Sequence, residues 1–257
     1  MAGEFTKLIP WLHRIPEPRD KLETAEQYIK MAENFRKSDE DLADTLAEKI
    51  PYGATVAEIG FGPWNTGLYL LQKRPDLTYI GYDYDEEMIL HAKKKAEVNG
   101  FTEEKVRFMH ADMTTMANTY KGPADLYVFS NTVIHERPDD PEGKLLRNTL
   151  NWMSHMVGRY GGCYLRDLRR ASSEEEAKQW RNQIVQDEDL DKDQLQLFKQ
   201  SQLAADTPQE LWRAINETPL IAKGGRIIIP KAPNERYWIY EIAAPSSRLR
   251  RTIKRAA

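Results

Sequence analysis

The sequence predicts an α/β protein built around a mostly parallel β-sheet. Short runs rich in β-branched and aromatic residues recur along the chain, and the first four are separated by helical segments at 67–75, 86–98 and 112–120. Strands that alternate with helices are typical of parallel sheets, because a parallel connection must cross back over the sheet. The five strand-like runs are 54–60, 77–83, 105–112, 124–131 and 161–168.

Length and composition narrow the class of protein. The 257 residues, 40% of them hydrophobic, suffice for one large domain or two small ones. The net charge of −3 argues against nonspecific nucleic-acid binding. The single cysteine, Cys163, excludes an internal disulfide framework and a Cys-rich zinc site. Because the sequence shows neither a signal peptide nor a run of about 18 apolar residues, we expect a cytoplasmic protein without a membrane span.

The segments before the first strand are predicted to be a leader and two helices. Prolines at positions 10, 16 and 18 predict an irregular leader over residues 1–20. Over 22–50, apolar residues follow three- and four-residue steps that are interrupted near 37–39. This spacing predicts two amphipathic helices with a break at the interruption.

The segments after the fifth strand are predicted to begin with a polar helical insertion. The stretch 172–200 is rich in Glu and Gln and has few apolar residues, so we expect it to cap the site. Its acidic run 187–191 lacks the glycine and glutamate of a calcium loop and is predicted to face solvent. Thr207 and Pro208 predict the start of a helix. Two strands are then expected over 226–243, followed by a basic tail.

A glycine loop directly follows the first predicted strand. Glycines at Gly60 and Gly62 allow a tight turn and let backbone amides approach a ligand. The next strand ends in Asp83, 21 residues after Gly62. An acid about 20 residues after such a loop commonly meets the ribose hydroxyls of an adenine nucleotide. The pattern therefore favours a nucleoside site.

Acids stand at the ends of three successive predicted strands, at Glu58, Asp83 and Asp112. In open α/β sheets ligands bind at the carboxyl ends of the strands, so these acids should converge. Several carboxylates suit a positively charged, phosphate-free nucleoside such as S-adenosylmethionine better than a pyrophosphate. A dinucleotide dehydrogenase fits poorly, because Asn65 stands where its fingerprint requires a third glycine.

These segments resemble the class I S-adenosylmethionine-dependent methyltransferases, particularly the C-methyltransferases of ubiquinone and menaquinone synthesis. The resemblance spans roughly residues 20–243 and is carried by EIGFGP, GYDYDEEMI, VRFMHADM, ADLYVFSNTVIHE, GGCYLRDLRR and SQLAADTPQELWRAI. It implies a Rossmann-like, seven-stranded, mostly parallel sheet. It also implies a single methyltransferase domain over 21–245, in which N-terminal helices and the 172–200 insertion cap the substrate pocket, with the basic tail as 246–257.

The resemblance also implies a set of cofactor-binding residues. Gly60 and Gly62 would line the methionine part of S-adenosylmethionine, and Asp83 would hold its ribose. The adenine would lie against Tyr84 and the Asp112–Met113 pair, with the sulfonium beside Asn131. The predicted set is Glu58, Gly60, Gly62, Asp83, Tyr84, Asp112, Met113 and Asn131.

Acceptor-side candidates follow the fourth and fifth strands. His135 is the candidate catalytic base, since imidazole can take a proton near neutral pH, with a local structural role as the alternative. Arg166 and Arg169 are candidates for binding a carboxylate or phenolate of the substrate. The alternative for both arginines is a salt bridge to Asp167 or to the acidic residues 174–176.

Two substrate-side candidates precede the second strand. Tyr28, on a predicted N-terminal helix, could close over the cofactor. Trp64 stands where the family commonly has a third glycine. It is expected either to form a wall of the substrate pocket or to pack under the N-terminal helices.

We therefore expect transfer of a methyl group from S-adenosylmethionine to a small-molecule acceptor by in-line displacement, without a metal. The protein would be a monomer or homodimer, and nucleic acid is not expected as a partner. Two alternatives stay open. The basic tail suits a tRNA or protein methyltransferase, and Trp64 suits a cofactor-binding protein that no longer methylates. The acceptor atom is left open among carbon, oxygen, nitrogen and sulfur.

Overall fold

The computed structural model describes most of the predicted domain. The described residues are 29–30, 32–113, 123–132, 144–157, 161–188, 190–230 and 236–243. The predicted leader, the basic tail and the two site candidates Tyr28 and His135 lie outside them.

A seven-stranded sheet forms the centre of the fold. Its strands are β1 (Thr55–Ile59), β2 (Thr78–Asp83), β3 (Val106–His110), β4 (Leu126–Ser130), β5 (Gly162–Leu168), β6 (Arg226–Ile228) and β7 (Tyr237–Ile242). Their order is β3-β2-β1-β4-β5-β7-β6. Strands β1 to β5 pair in parallel, whereas β7 is antiparallel to both β5 and β6. This arrangement confirms the predicted α/β fold.

Helices cover both faces of the sheet. They are α1 (Arg36–Lys49), α2 (Asn65–Lys73), α3 (Glu86–Val98), α4 (Lys144–Met156), α5 (Glu174–Asp187), α6 (Lys192–Ala204) and α7 (Pro208–Asn216). As predicted, α7 begins at a capping box between Thr207 and Glu210, with a proline in its first turn. The polar insertion is helical and consists of α5 and α6. Among the helices of the described ranges, none is long and apolar enough to cross a membrane.

Each face of the sheet packs its helices in a hydrophobic cluster of its own. Residues of α1, α2 and α3 form one cluster with Val56 and Tyr164 of the sheet. Residues of α4 and α7 form the other, with Ala57 and Leu165. Because side chains alternate along a strand, Glu58 lies on the α1–α3 face together with Val56.

The break between the N-terminal helices differs from the prediction. It lies at Asn34 and Phe35 rather than near 37–39, and α1 starts at Arg36. Tertiary contacts with α6 explain the position of this break. Phe35 packs against Phe198 of α6 with ring centroids 6.2 Å apart, and the Asn34 side chain donates to the Gln194 side chain at 3.0 Å. The polar residues that suggested a break are therefore inside α1, where Ser38 is buried.

Candidate active site

The glycine loop is built on left-handed backbone. Gly60 and Gly62 have φ of 67° and 53°, a region that favours glycine. The Gly60 N–H donates to Tyr82 O at 2.7 Å, which ties the loop to β2. A Cβ at Gly60 would collide with the Thr132 side chain at the end of β4. The loop backbone therefore lies close to the ends of both neighbouring strands.

Asp83 meets this loop, as the spacing predicts. It is the buried last residue of β2, and its Oδ2 accepts from the Gly62 N–H at 2.8 Å. Its Oδ1 accepts from the Asp85 N–H at 3.0 Å. Burial raises the pKa of the Asp83 carboxyl, which these backbone bonds oppose. Each carboxylate oxygen has a second lone pair, so Asp83 can also accept from ligand hydroxyls.

An exposed aromatic ring stands beside Asp83. Tyr84 is 71% exposed, and its ring centroid lies 6.1 Å from that of His110. His110 donates its Nε2–H to Tyr84 O at 2.8 Å. The end of β3 is fixed to β2 because the Ala111 N–H donates to Asp83 O at 2.8 Å. The partly buried pair Asp112–Met113 follows directly, so the predicted adenine residues lie around one edge.

The end of β4 carries an unusual asparagine. Asn131 has φ of 51°, a left-handed conformation that is uncommon for residues other than glycine and that asparagine adopts more readily than most. Its N–H donates to Arg166 O at 2.9 Å, whereas no residue in the described ranges bonds to its buried Oδ1. A buried acceptor without a donor is uncommon in folded proteins. This side chain therefore fits a ligand that supplies a donor.

Glu58 is buried near the end of β1 and bonded to a tyrosine of β2. It is 4% exposed, and Tyr79 donates its hydroxyl to Glu58 Oε2 at 2.5 Å. Burial raises the pKa of the Glu58 carboxyl to about 8, because desolvation outweighs the Tyr79 bond and the nearby Arg166 guanidinium. Asp39 and Asp83 add to the increase by charge repulsion. Glu58 is therefore mainly neutral at pH 7.

The assignment of Trp64 to the substrate pocket is wrong. Its side chain is 0% exposed. Its ring packs edge-on against Tyr79, Phe101 and Phe108, with centroid distances of 5.9, 5.9 and 5.0 Å. The ring fills space that Gly67 leaves open, since a Cβ there would collide with the indole. Trp64 is a core residue whose ring neighbours come from the sheet and the loop before β3.

The two arginine candidates have different surroundings. Arg169 pairs with Glu176 of α5 at 2.7 Å and stacks on Trp180 at 4.4 Å. The salt bridge that was the structural alternative for Arg169 is therefore present, and its role as a substrate ligand stays a prediction. The neighbouring Arg170 is similarly paired with Glu210 at 2.6 Å.

Arg166 is buried without such a pair. Its guanidinium donates to Ser38 O and Ser130 Oγ, both at 3.2 Å, and lies 4.5 Å from the Tyr237 ring. Among the residues that the structure describes, none bonds to its buried Nε. In the part of the chain that the structure describes, no carboxylate forms an ion pair with it. Arg166 therefore remains a candidate for an acidic ligand group.

Sequence reasoning missed several residues that shape this edge. Thr132 donates its Oγ1–H to Ser130 O at 2.9 Å and packs on Gly60. Ser38 and the acidic-run residue Glu188 are buried and bonded to each other, although the first was read as a helix break and the second as a solvent-facing residue. Of these residues, only Thr132 could have been suspected from the sequence, because it directly follows the candidate Asn131.

Comparisons with known proteins show what part of the chain is similar to. Residues 56–155 match a methyltransferase domain family. Trans-aconitate 2-methyltransferase of Azoarcus sp. (strain BH72) is 29% identical over 116 residues, which cover 44% of this chain and 40% of that protein. The chain thus spans about two fifths of the length of this relative.

Solved structures share the fold. A SAM-dependent methyltransferase from Aquifex aeolicus has a TM-score of 0.58 at 13% identity, covering 86% of this chain and 99% of that chain. Human N-acetylserotonin methyltransferase in complex with SAM has a TM-score of 0.55 at 14% identity, covering 90% of this chain and 61% of that chain. Residues 56–155 thus match a methyltransferase domain, and the strand order and the solved structures support a class I methyltransferase fold for the chain.

Proposed function

We propose that the protein transfers the methyl group of S-adenosylmethionine to a small-molecule acceptor. The observation that carries the proposal is the bond from the Gly62 N–H to Asp83, which brings the glycine loop and the acid of β2 together. The bound cofactor supplies an electrophilic methyl group on a sulfonium. The protein has mainly to position the two reactants, and this positioning can supply much of the rate acceleration.

The residues at the edge suit this cofactor. Gly60 and Gly62 have no side chains, so a ligand can approach the loop backbone closely. The second lone pair of each Asp83 carboxylate oxygen can accept from a ribose hydroxyl. Tyr84 offers an exposed ring for the adenine. The unpartnered Asn131 Oδ1 fits the ammonium or the polarised groups beside the sulfonium. Asp112, Met113 and Glu58 stay predicted members of this set.

The acceptor is proposed to bind above the ends of β4 and β5. Arg166 is the residue proposed to attract a carboxylate or phenolate. The relatives named above carry the names of small acceptors, trans-aconitate and N-acetylserotonin, which supports this class. The predicted roles of His135 as base and Tyr28 as a closing residue belong to the same proposal.

The insertion is proposed to cap this acceptor site. Residues of α5 and α6 form a hydrophobic cluster with Leu168 at the end of β5 and with Phe35 before α1. The cytoplasm is the proposed compartment, where the one cysteine, the buried Cys163, stays reduced. The non-catalytic alternative loses its motivation, because the Trp64 side chain packs in the core.

Ligand binding tests the cofactor proposal first. We expect S-adenosylmethionine and S-adenosylhomocysteine to raise the melting temperature and to give a calorimetric binding signal, and NAD to do neither. A folded protein that binds neither sulfur nucleoside would overturn the proposal. Turnover of S-adenosylmethionine with aromatic, quinone and carboxylate acceptors tests the acceptor class. Deletion of residues 246–257 should leave that turnover intact, whereas activity on tRNA or protein that disappears with the tail would favour a macromolecular acceptor.

A further inference from the structure

The first turn of α1 is capped by a residue of the insertion. The first amides of a helix have no partner within the helix, and the N-cap residue Phe35 provides no side-chain bond to them. Glu188, directly after α5, supplies the missing acceptors. Its Oε2 accepts from the Lys37 N–H at 3.2 Å and its Oε1 from the Ser38 N–H at 3.0 Å. A carboxylate at a helix N-terminus also stabilises the helix dipole.

The capped turn contacts the ends of β5 and β7. Ser38 O accepts from the Arg166 guanidinium at 3.2 Å, and Ser38 Oγ shares a hydrogen bond of 2.9 Å with the Tyr237 hydroxyl. The backbone carbonyl of Arg166 in turn accepts a hydrogen bond from the Asn131 N–H at 2.9 Å. A continuous path of bonds therefore runs from Glu188 through Ser38 and Arg166 to Asn131.

The same turn also contacts the helix after the glycine loop. Asp39, the next residue of α1, accepts from the Thr66 hydroxyl of α2 at 3.1 Å. A second tie from the insertion supports this position, since Asn34 donates to Gln194 of α6 at 3.0 Å. The insertion thus holds α1 against both the strand ends and α2.

The path reaches one part of the cofactor site. We call Asn131, with the first turn of α1 and the Arg166 backbone that hold it, the methionine half, and Asp83, Tyr84, Asp112 and Met113 the adenosine half. In the adenosine half, Asp83 takes its hydrogen bonds from Gly62 and Asp85, which belong to the loops after β1 and β2. The bonds from the insertion described above enter the methionine half.

We propose that Glu188 is a positioning residue that fixes the first turn of α1 and thereby shapes the methionine half of the cofactor site. The inference rests on the proposed function, because it assumes that S-adenosylmethionine binds at this edge. Glu188 does not touch the cofactor in this scheme. It acts through Ser38 and Arg166.

Two ligands allow the methionine half and the adenosine half to be tested separately. S-adenosylhomocysteine contains the amino-acid part, whereas 5′-methylthioadenosine keeps the adenosine and the thioether without it. The full chain and its Glu188→Gln variant are titrated calorimetrically with both ligands. Because glutamine keeps the size but offers one acceptor oxygen and no charge, we expect about tenfold weaker binding of S-adenosylhomocysteine. Binding of 5′-methylthioadenosine should stay within about twofold of the wild type.

A matched control comes from the same helix. Glu175 is exposed on α5, so Glu175→Gln makes the same change of charge away from α1 and should alter neither affinity. An equal loss for both ligands in Glu188→Gln, or a loss for neither, would overturn the inference. A wild-type protein that binds neither ligand would instead overturn the proposed function.

A milder variant covers the case in which Glu188→Gln does not fold. Asn34→Ala removes the bond to Gln194 and keeps the carboxylate cap. We expect about threefold weaker binding of S-adenosylhomocysteine and unchanged binding of 5′-methylthioadenosine. Equal effects on the two ligands would contradict the inference for this variant as well.

Discussion

The adenosine half and the methionine half of the site are built in different ways. In the adenosine half, Asp83 is held by backbone amides of the two loops that flank it, 2 and 21 residues away in sequence. In the methionine half, Ser38 bonds to Arg166, Glu188 and Tyr237, which are 128, 150 and 199 residues away. One half is a local motif, and the other exists only once the whole domain has folded.

This difference predicts how each half responds to change. A local motif built on strand ends depends on its own residues and on the core beneath it. The methionine half depends on helices and strands from both ends of the chain, so substitutions far from the cofactor should reach it. Four substitutions test this difference.

Removal of Trp64 should have the largest effect, on stability. The indole fills the core beneath the adenosine half, so Trp64→Ala should lower the free energy of unfolding by about 3–5 kcal/mol in chemical denaturation. Trp212→Ala is the control, since Trp212 is 42% exposed on α7 and should cost far less. A folded Trp64→Ala protein with near-normal stability and no affinity for S-adenosylhomocysteine would return Trp64 to the pocket.

Gly60 contacts the ends of both neighbouring strands, through Tyr82 and Thr132, and its substitution should rank second. Gly60→Ala forces a side chain into left-handed backbone and against Thr132, so we expect a loss of about 3 kcal/mol in the free energy of unfolding. Gly100→Ala is matched in φ, at 76°, but a Cβ there meets no atom within 4 Å. It should therefore lose only about 1 kcal/mol. Equal losses would mean that the Thr132 contact is unimportant.

These contrasts show why one half was predictable from sequence. The alternation of strands and helices fixes the sheet, and its parallel strands bring their carboxyl ends to one edge. Gly62 and Asp83 meet there because each lies just beyond or at the end of its strand. The contact needs only the pairing of β1 with β2, so the convergence of these strand ends was predictable from the sequence.

The methionine half was not predictable, because adjacent residues of one type have different distant partners. Arg169 is occupied by Glu176, whereas Arg166, three residues earlier, bonds to Ser38 and Ser130. Sequence cannot say which arginine meets which acid. Trp64 was misassigned for a similar reason, since its burial depends on the missing Cβ of Gly67.

Glu58 should make the stability of the protein depend on pH. In the folded protein the pKa of Glu58 is about 8, against an ordinary value of 4.5, so folded Glu58 keeps a proton that the unfolded chain releases. The free energy of unfolding should therefore fall as pH rises from 5 to 7, by up to about 1.4 kcal/mol per pH unit from this group. The groups that face Glu58 are Tyr79, Asp39, Arg166 and Asp83.

Glu58→Gln isolates this contribution. Glutamine does not titrate, so the slope of unfolding free energy against pH should be shallower in the variant than in the wild type between pH 5 and 7. Some slope should remain, because burial also raises the pKa of the carboxyls of Asp39 and Asp83. Identical slopes would show that Glu58 is already ionised in the folded protein.

Substitution of Asp83 should have the smallest effect and gives the sharpest comparison between the halves. Asp83→Asn keeps the shape but leaves one acceptor oxygen for the loop amides and the ribose. We expect about tenfold weaker binding, roughly 1.4 kcal/mol, for S-adenosylhomocysteine and 5′-methylthioadenosine alike, because both contain the ribose. Asp44→Asn, at an exposed position of α1, should change neither affinity. A loss confined to S-adenosylhomocysteine would place the ribose elsewhere, since only a contact in the methionine half distinguishes the two ligands.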